Sequence, residues 1–278
     1  MNQLPSPLPG PPQALAQVLV FAASDPSAGA GAQADLLTLA RLGCHPLTAL
    51  TAITVQDTIG VDSVHPVAAD LLQRQARAIL EDMPVAAFKV GLLGSVENVL
   101  AVAEIVADYP QTPLVLDPVL ASGRGDDLAS GEIIAAIRDM LLPRTTLLTP
   151  NAPEARRLAQ RDGDADELAL AVCAQRLLAL GARYVLITGT HDSTPEVVNT
   201  LYGAAGVIRR DGWPRLPGSY HGSGCTLASA IAAGLANGIP IEAAVRDAQE
   251  YTWQTLKQGF RGGRGQLIPH RFFPGCQK

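Results

Sequence analysis

A Gly222-Ser223-Gly224-Cys225 turn stands directly ahead of a run of small residues, and it is the segment of the chain best suited to chemistry. Two glycines let a backbone approach a ligand closely, and a helix starting there offers free N–H groups and the positive end of its dipole. Gly222, Ser223 and Gly224 therefore read as an anion hole for a phosphoryl group gaining charge during transfer. A cysteine in the first turn of such a helix is expected to have a lowered pKa, which would let Cys225 take a proton near neutral pH. Asp117 and Glu154 are the candidate Mg2+ partners, because a hard cation carried on substrate phosphates needs only one or two carboxylates. Each feature also has a plain structural reading: a glycine turn beside a buried cysteine, a turn aspartate ahead of Pro118, a first-turn glutamate complementing a helix dipole. Asp25 suits an Asx turn as well as a ligand contact, and Gln56 a solvated strand end as well as a ligand contact. Lys89 suits a structural role at least as well as a phosphate contact, and His191 and His221 read as loop or packing residues.

These residues need elements to carry them. Short apolar runs alternate with amphipathic ones from Gln17 onward. Residues 17–23, 46–56, 85–93, 113–119, 145–150 and 184–188 read as buried strands, since near-continuous apolar runs mark strands covered on both faces. Residues 32–43, 70–82 and 97–108 read as helices between them, and 226–237 and 241–258 as two closing helices. Residues 197–216 have strand-like halves joined near Gly203–Gly206, a hairpin or antiparallel edge. Helices between buried strands imply right-handed crossovers, hence an α/β fold with a mostly parallel sheet covered on both faces. In such sheets ligands bind beyond the carboxyl ends of the strands. Asp25, Gln56, Asp117, Asn151 with Glu154, and Thr188 with Gly189 all follow strands in that way, so one cleft accounts for them more simply than separate turns.

Composition narrows the function classes. Of 278 residues, 47% are hydrophobic and 17% charged, enough apolar material for a sizeable core and too much for disorder. The net charge of −5 argues against a nucleic-acid footprint. No stretch approaches the ~18 uninterrupted apolar residues of a membrane span. Cys44, Cys173, Cys225 and Cys276 are widely scattered, which fits a reducing compartment better than a disulfide framework. Residues 1–16 form a proline-rich stretch without the basic and apolar regions of a signal peptide, so a poorly ordered leader ahead of one domain (17–278) in the cytoplasm is expected. Neither GxxxxGK[ST] nor GxGxxG occurs, which removes a P-loop and a standard dinucleotide site.

In order along the chain, the segments Asp25–Asp35, Ala49–Gly60, Lys89–Leu92, Asp117–Leu120, Thr149–Ala155 and His221–Leu227 resemble the ordered motifs of the ribokinase superfamily. Within it they look like those of the hydroxymethylpyrimidine/phosphomethylpyrimidine kinases of thiamin biosynthesis. The similarity runs from Val18 to about Phe272. It implies a three-layer ribokinase-like fold and a homodimer. It also implies ATP- and Mg2+-dependent phosphorylation of 4-amino-5-hydroxymethyl-2-methylpyrimidine, then of its monophosphate. By the same resemblance Asp25 and Gln56 would hydrogen-bond the aminopyrimidine, with Gly31 and Leu92 beside it. Asn151, Thr188 and Gly189 would meet the nucleotide, Asp117 and Glu154 would position Mg2+, and Cys225 would be the base. The chain departs from the pattern at Thr188, where the family often has lysine, at Leu92, where it often has methionine, and at Gln266, where it has histidine.

Three rival readings belong beside this one. A pyridoxal-type kinase uses the same scaffold, a Cys225–His221 pair could be a thiol nucleophile, and loss of the lysine could mark a pyrimidine sensor without turnover.

Overall fold

The computed structural model describes residues 14–122, 125–161, 164, 168–190 and 194–273. His191, Cys276 and residues 1–13 of the expected leader lie outside that range. Among the described residues, nine strands form one sheet in the order β3-β2-β1-β4-β5-β6-β7-β8-β9. The central strands β1 (Gln17–Ser24), β2 (His45–Gln56), β4 (Val85–Val90), β5 (Leu114–Leu116), β6 (Leu147–Leu148) and β7 (Tyr184–Ile187) run parallel. Antiparallel β3 (Val61–Pro66) ends one edge, and the hairpin of β8 (Glu196–Gly203) and β9 (Gly206–Pro214) ends the other.

Strand alternation divides the core between the two sheet faces. In β1, Val18, Val20 and Ala22 face α1 (Gly31–Arg41), α7 (Ser223–Ala236) and α8 (Ile241–Lys257), while Leu19 and Phe21 face the opposite layer. That layer contains α2 (Ala69–Asp82), α3 (Val96–Ala107), α4 (Gly131–Ala136), α5 (Ala152–Ala159) and α6 (Leu170–Ala179). The small residues of α7 let it lie close to its neighbours. A Cβ placed on Gly234 would stand 2.9 Å from the Ala244 methyl of α8.

Three features differ from the sequence reading. β3 was not foreseen, because its residues VDSVHP are mostly half-exposed or exposed and carry no apolar run. β5 and β6 are shorter than 113–119 and 145–150, since Asp117-Pro118 and Thr149-Pro150 turn the chain out of the sheet where proline has no N–H to give the ladder. α7 begins at Ser223 rather than Thr226, so the Gly-Ser-Gly-Cys run lies inside the helix start instead of ahead of it.

Candidate active site

β1 pairs with β2 on one side and with β4 on the other, which makes its carboxyl end the switch point of the sheet. A cleft of about 850 Å³ opens there. Asp25, Gly31, Gln56, Leu92, Asp117, Asn151, Glu154, Thr188 and Gly222 to Cys225 all line it. Gly189 does not: a Cβ on it would meet the Val198 carbonyl at 2.4 Å, and its N–H donates to Asn199 Oδ1.

At the glycine turn, Gly222 caps α7 in the left-handed region (φ +81°) with no side chain over the helix end. A Cβ there would fall 1.9 Å from the Gly29 carbonyl oxygen, so only glycine lets the two loops meet. The first intrahelical bond reaches Thr226, whose N–H donates to Gly222 O, leaving the N–H groups of residues 223–225 with no partner inside the helix. The start of the helix abuts Asp117: a Cβ on Gly224 would be 3.7 Å from Asp117 Oδ2.

The expected lowering of the Cys225 pKa is not found. Burial pushes the thiol up to about 12, and the charges of Asp117 and Asp35 add to this, against the opposing pull of Lys89 and the Gly31 N–H. The helix start alone does not outweigh desolvation beside two carboxylates. Asp117 is itself pushed up to about 6, by burial first, with Lys89 acting in the other direction. Glu154 is pushed up to about 8, by burial and then by the charge of Asp117. Glu154 also completes a capping box with Asn151 at the start of α5, and its other oxygen accepts from the Leu120 N–H.

Mg2+ fits this pair of carboxylates. Asp117 Oδ2 is buried without a hydrogen-bond partner, and the Asp117 charge raises the proton affinity of Glu154, as a carboxylate sharing space for a cation does. Among the described residues no cluster of three or more acidic, histidine or cysteine side chains forms a closed metal cage. Such a site suits a cation that completes its shell with water and substrate phosphates.

The other end of the cleft holds a small polar network. Asp25 spends its carboxylate on its own loop, accepting from Ser27 N, Ser27 Oγ and Ala30 N, and on His221 Nε2 at 2.8 Å. Burial raises its pKa, but these hydrogen bonds more than offset that and hold it below the usual carboxylate value. An ionised Asp25 can only accept, so His221 donates to it from Nε2. The Gln56 amide lies 2.8 Å from the same nitrogen and 3.1 Å from Thr54 Oγ1, whose own hydrogen goes to the Ser24 carbonyl. His221, read from sequence as a packing residue, is thus part of the cleft. Its place at the head of the glycine turn was the available signal.

Lys89 is fully buried and pairs with Asp35 at 2.8 Å, which assigns it a structural contact. Trp213 and Trp253 line the far wall with ring centroids 6.2 Å apart, and the sequence reading missed both. They come from β9 and α8, and nothing in their local sequence marks them as neighbours.

Comparison with known proteins agrees with this geometry. The family model described as phosphomethylpyrimidine kinase matches residues 25–270. The chain is 39% identical to the hydroxymethylpyrimidine/phosphomethylpyrimidine kinase of Mycobacterium leprae, over 95% of this chain and 96% of that one. It is 38% identical to the thiamine biosynthesis bifunctional protein ThiED of Geobacter sulfurreducens, over 89% of this chain and 50% of that longer one. Among solved structures, the ADP complex of Bacillus subtilis pyridoxal kinase superposes with a TM-score of 0.85 at 29% identity, covering 93% of this chain and 98% of that chain. The fold is therefore shared by pyrimidine and pyridoxal kinases, while the motifs and the family match agree on the narrower group: the chain belongs to the phosphomethylpyrimidine kinase family.

Proposed function

We propose that this phosphotransferase moves the γ-phosphoryl group of ATP to 4-amino-5-hydroxymethyl-2-methylpyrimidine and then to its monophosphate, as a step of thiamin biosynthesis. The observation that carries the reading is the convergence of one helix start, one thiol and two carboxylates between a hydrogen-bonding end and an aromatic end of a single cleft. Gln56, oriented by His221 and Asp25, and Leu92 hold the aminopyrimidine at the first end. The nucleotide lies toward Asn151, Thr188 and the Trp213–Trp253 wall, where a purine has an aromatic face to pack on. The N–H groups of residues 223–225 receive the charge that gathers on the transferred phosphoryl oxygens.

Asp117 and Glu154 would hold Mg2+. Bound there, it would supply positive charge against both the phosphates and the Asp117 carboxylate that helps keep the Cys225 proton in place. Cys225, once its own proton has passed to water, would take the proton of the substrate hydroxyl as that oxygen bonds to phosphorus and the bond to ADP breaks. Thr188 offers a hydroxyl where the family often has lysine, so the phosphate charge falls more heavily on backbone N–H groups and the cation. Among the described residues no helix is long and apolar enough to cross a membrane. A cytoplasmic homodimer is part of the same proposal, and sedimentation would measure the oligomer.

ADP release measured with the alcohol, the monophosphate and pyridoxal in separate assays, with and without Mg2+, tests the reading. The expected result is Mg2+-dependent turnover of both pyrimidines with a higher kcat/KM than for pyridoxal. Absence of ADP release with either pyrimidine overturns it in favour of a sensor, and a higher kcat/KM for pyridoxal overturns it in favour of the rival kinase.

A further inference from the structure

Arg271, in the C-terminal segment beyond α8, is 3% exposed, and its hydrogen bonds go to backbone carbonyls and a hydroxyl rather than to a carboxylate. Nε donates to Thr226 Oγ1 at 3.1 Å, Nη1 to the Ala28 carbonyl at 3.2 Å and Nη2 to the Gly29 carbonyl at 2.6 Å. A buried guanidinium is costly unless its donors are met, and here a rigid fork meets acceptors on two different loops.

The loop it grips is strained. Ala28 has φ +55°, the sole positive φ outside glycine among the described residues, and Gly31 follows at +62°. An alanine stays in that region only where its surroundings over-determine it. Asp25 holds the loop from one side through the N–H groups of Ser27 and Ala30. Arg271 holds it from the other side through the carbonyls of Ala28 and Gly29.

The second loop is the start of α7. Thr226 follows Cys225 directly, and its hydroxyl donates to the Gly222 carbonyl while accepting from Arg271. Gly29 lies against the His221 ring, where a Cβ would fall 2.2 Å from Cδ2. One guanidinium thus joins the strained loop, the anion-hole turn and, through Gly29, the wall formed by His221.

We propose that Arg271 is a positioning residue for phosphoryl transfer: it holds the strained Ala28–Gly31 backbone against the first turn of α7, so that the turn's N–H groups and Cys225 keep one geometry. The proposal rests on the kinase reading above. It touches neither substrate, so its loss should act on turnover rather than on binding.

The test compares wild type, Arg271→Lys and the double variant Arg271→Lys/Ala28→Gly in the ADP-release assay, with thermal melting of each. Lysine keeps the charge but cannot span three acceptors. The expected result for Arg271→Lys is a kcat lower by about tenfold or more, with KM for ATP and for the pyrimidine within about threefold of wild type. Glycine adopts positive φ without strain, so Ala28→Gly should return at least about threefold of the lost kcat without raising the melting temperature to match. A kcat for Arg271→Lys within twofold of wild type overturns the proposal. So does a loss of kcat that follows melting temperature and is not recovered by Ala28→Gly. If Arg271→Lys does not fold, Thr226→Val removes one acceptor and leaves the arginine in place. It should lower kcat at constant KM, and an unchanged kcat there overturns the proposal as well. Absence of turnover by the wild type rejects the kinase reading itself, which separates the two failures.

Discussion

Lys89 Nζ and Asp35 Oδ2 lie 2.8 Å apart with both side chains fully buried, and the second Asp35 oxygen accepts from Ser229 Oγ at 2.7 Å. The pair joins β4 to α1 and to α7 beneath the floor of the cleft. Burial works to strip the Lys89 proton, but the charges of Asp35, Cys225 and Asp117 and the hydrogen bond to Asp35 together outweigh it and keep the ammonium protonated above its ordinary range. Gly91 makes room for it, since a Cβ there would stand 2.9 Å from Nζ.

Lys89→Met leaves the Asp35 charge buried and alone, and should cost about 3–5 kcal/mol of unfolding free energy. Adding Asp35→Asn removes that charge while keeping an oxygen for Ser229, so the double variant should regain most of the loss. Urea titrations of the three proteins measure both effects. A single variant within about 1 kcal/mol of wild type would contradict a buried ion pair.

Cys225→Ala should lower kcat by about 10²–10⁴-fold while leaving nucleotide affinity within about twofold, because in the proposed mechanism the thiol serves proton transfer and not ATP binding. Cys225→Ser should fall between, since a hydroxyl can hold the same hydrogen bonds but gives up its own proton less readily than a thiol. Turnover near wild type in the alanine variant would remove Cys225 from the proton path.

The chain has two tryptophans, and both line the cleft, at the end proposed for the nucleotide. Trp213 Nε1 donates to Gln249 Oε1 and Trp253 Nε1 to the Pro214 carbonyl, so each ring is oriented by its own partner. ATP or ADP should therefore change intrinsic fluorescence in a saturable way, and the pyrimidine alone should change it far less. Trp213→Phe and Trp253→Phe each leave one reporter. A nucleotide response absent from both single variants would place the base elsewhere.

Stability should fall with rising pH in the free protein. Glu154 and Asp117 hold protons in the folded state up to about pH 8 and about pH 6, whereas their ordinary values are 4.5 and 3.8. Between about pH 4.5 and 8 the unfolded chain therefore binds fewer protons than the folded one, and unfolding free energy declines as pH rises. Urea midpoints at pH 5.5 and 8 measure the slope. Glu154→Gln should flatten it, and Mg2+ with ATP should raise the midpoint more at pH 8 than at pH 5.5. A midpoint that climbs steadily through this window would contradict the assignment. Asp25 acts outside it: its pKa is lowered, so its contribution is present above the ordinary carboxylate value and is lost only in stronger acid.

Much of this was legible in the sequence for physical reasons. Buried parallel strands are continuous apolar runs, so β1, β2, β4 and β7 stand out. Glycine-rich turns at strand ends announce where a ligand can approach. β3 escaped because a half-exposed edge strand has no such run. Trp213, Trp253 and Arg271 escaped because their importance lies in partners far along the chain: Arg271 meets Ala28 across 243 residues. The direction of the Cys225 shift was misjudged because a helix start can be read from sequence, while the buried carboxylates facing it belong to α1 and the end of β5.

The contact between Gly29 and Gly222 makes heredity at these positions joint rather than separate. Either residue gaining a methyl group collides with the other loop or with the His221 ring, and moving that ring disturbs Asp25 and Gln56 together. A lineage altering one of the five meets a fitness barrier that the remaining four set. Diversification of the pocket is therefore steered toward walls outside this knot, such as Leu92 and the two tryptophans, where a side chain can change without asking four others to change with it.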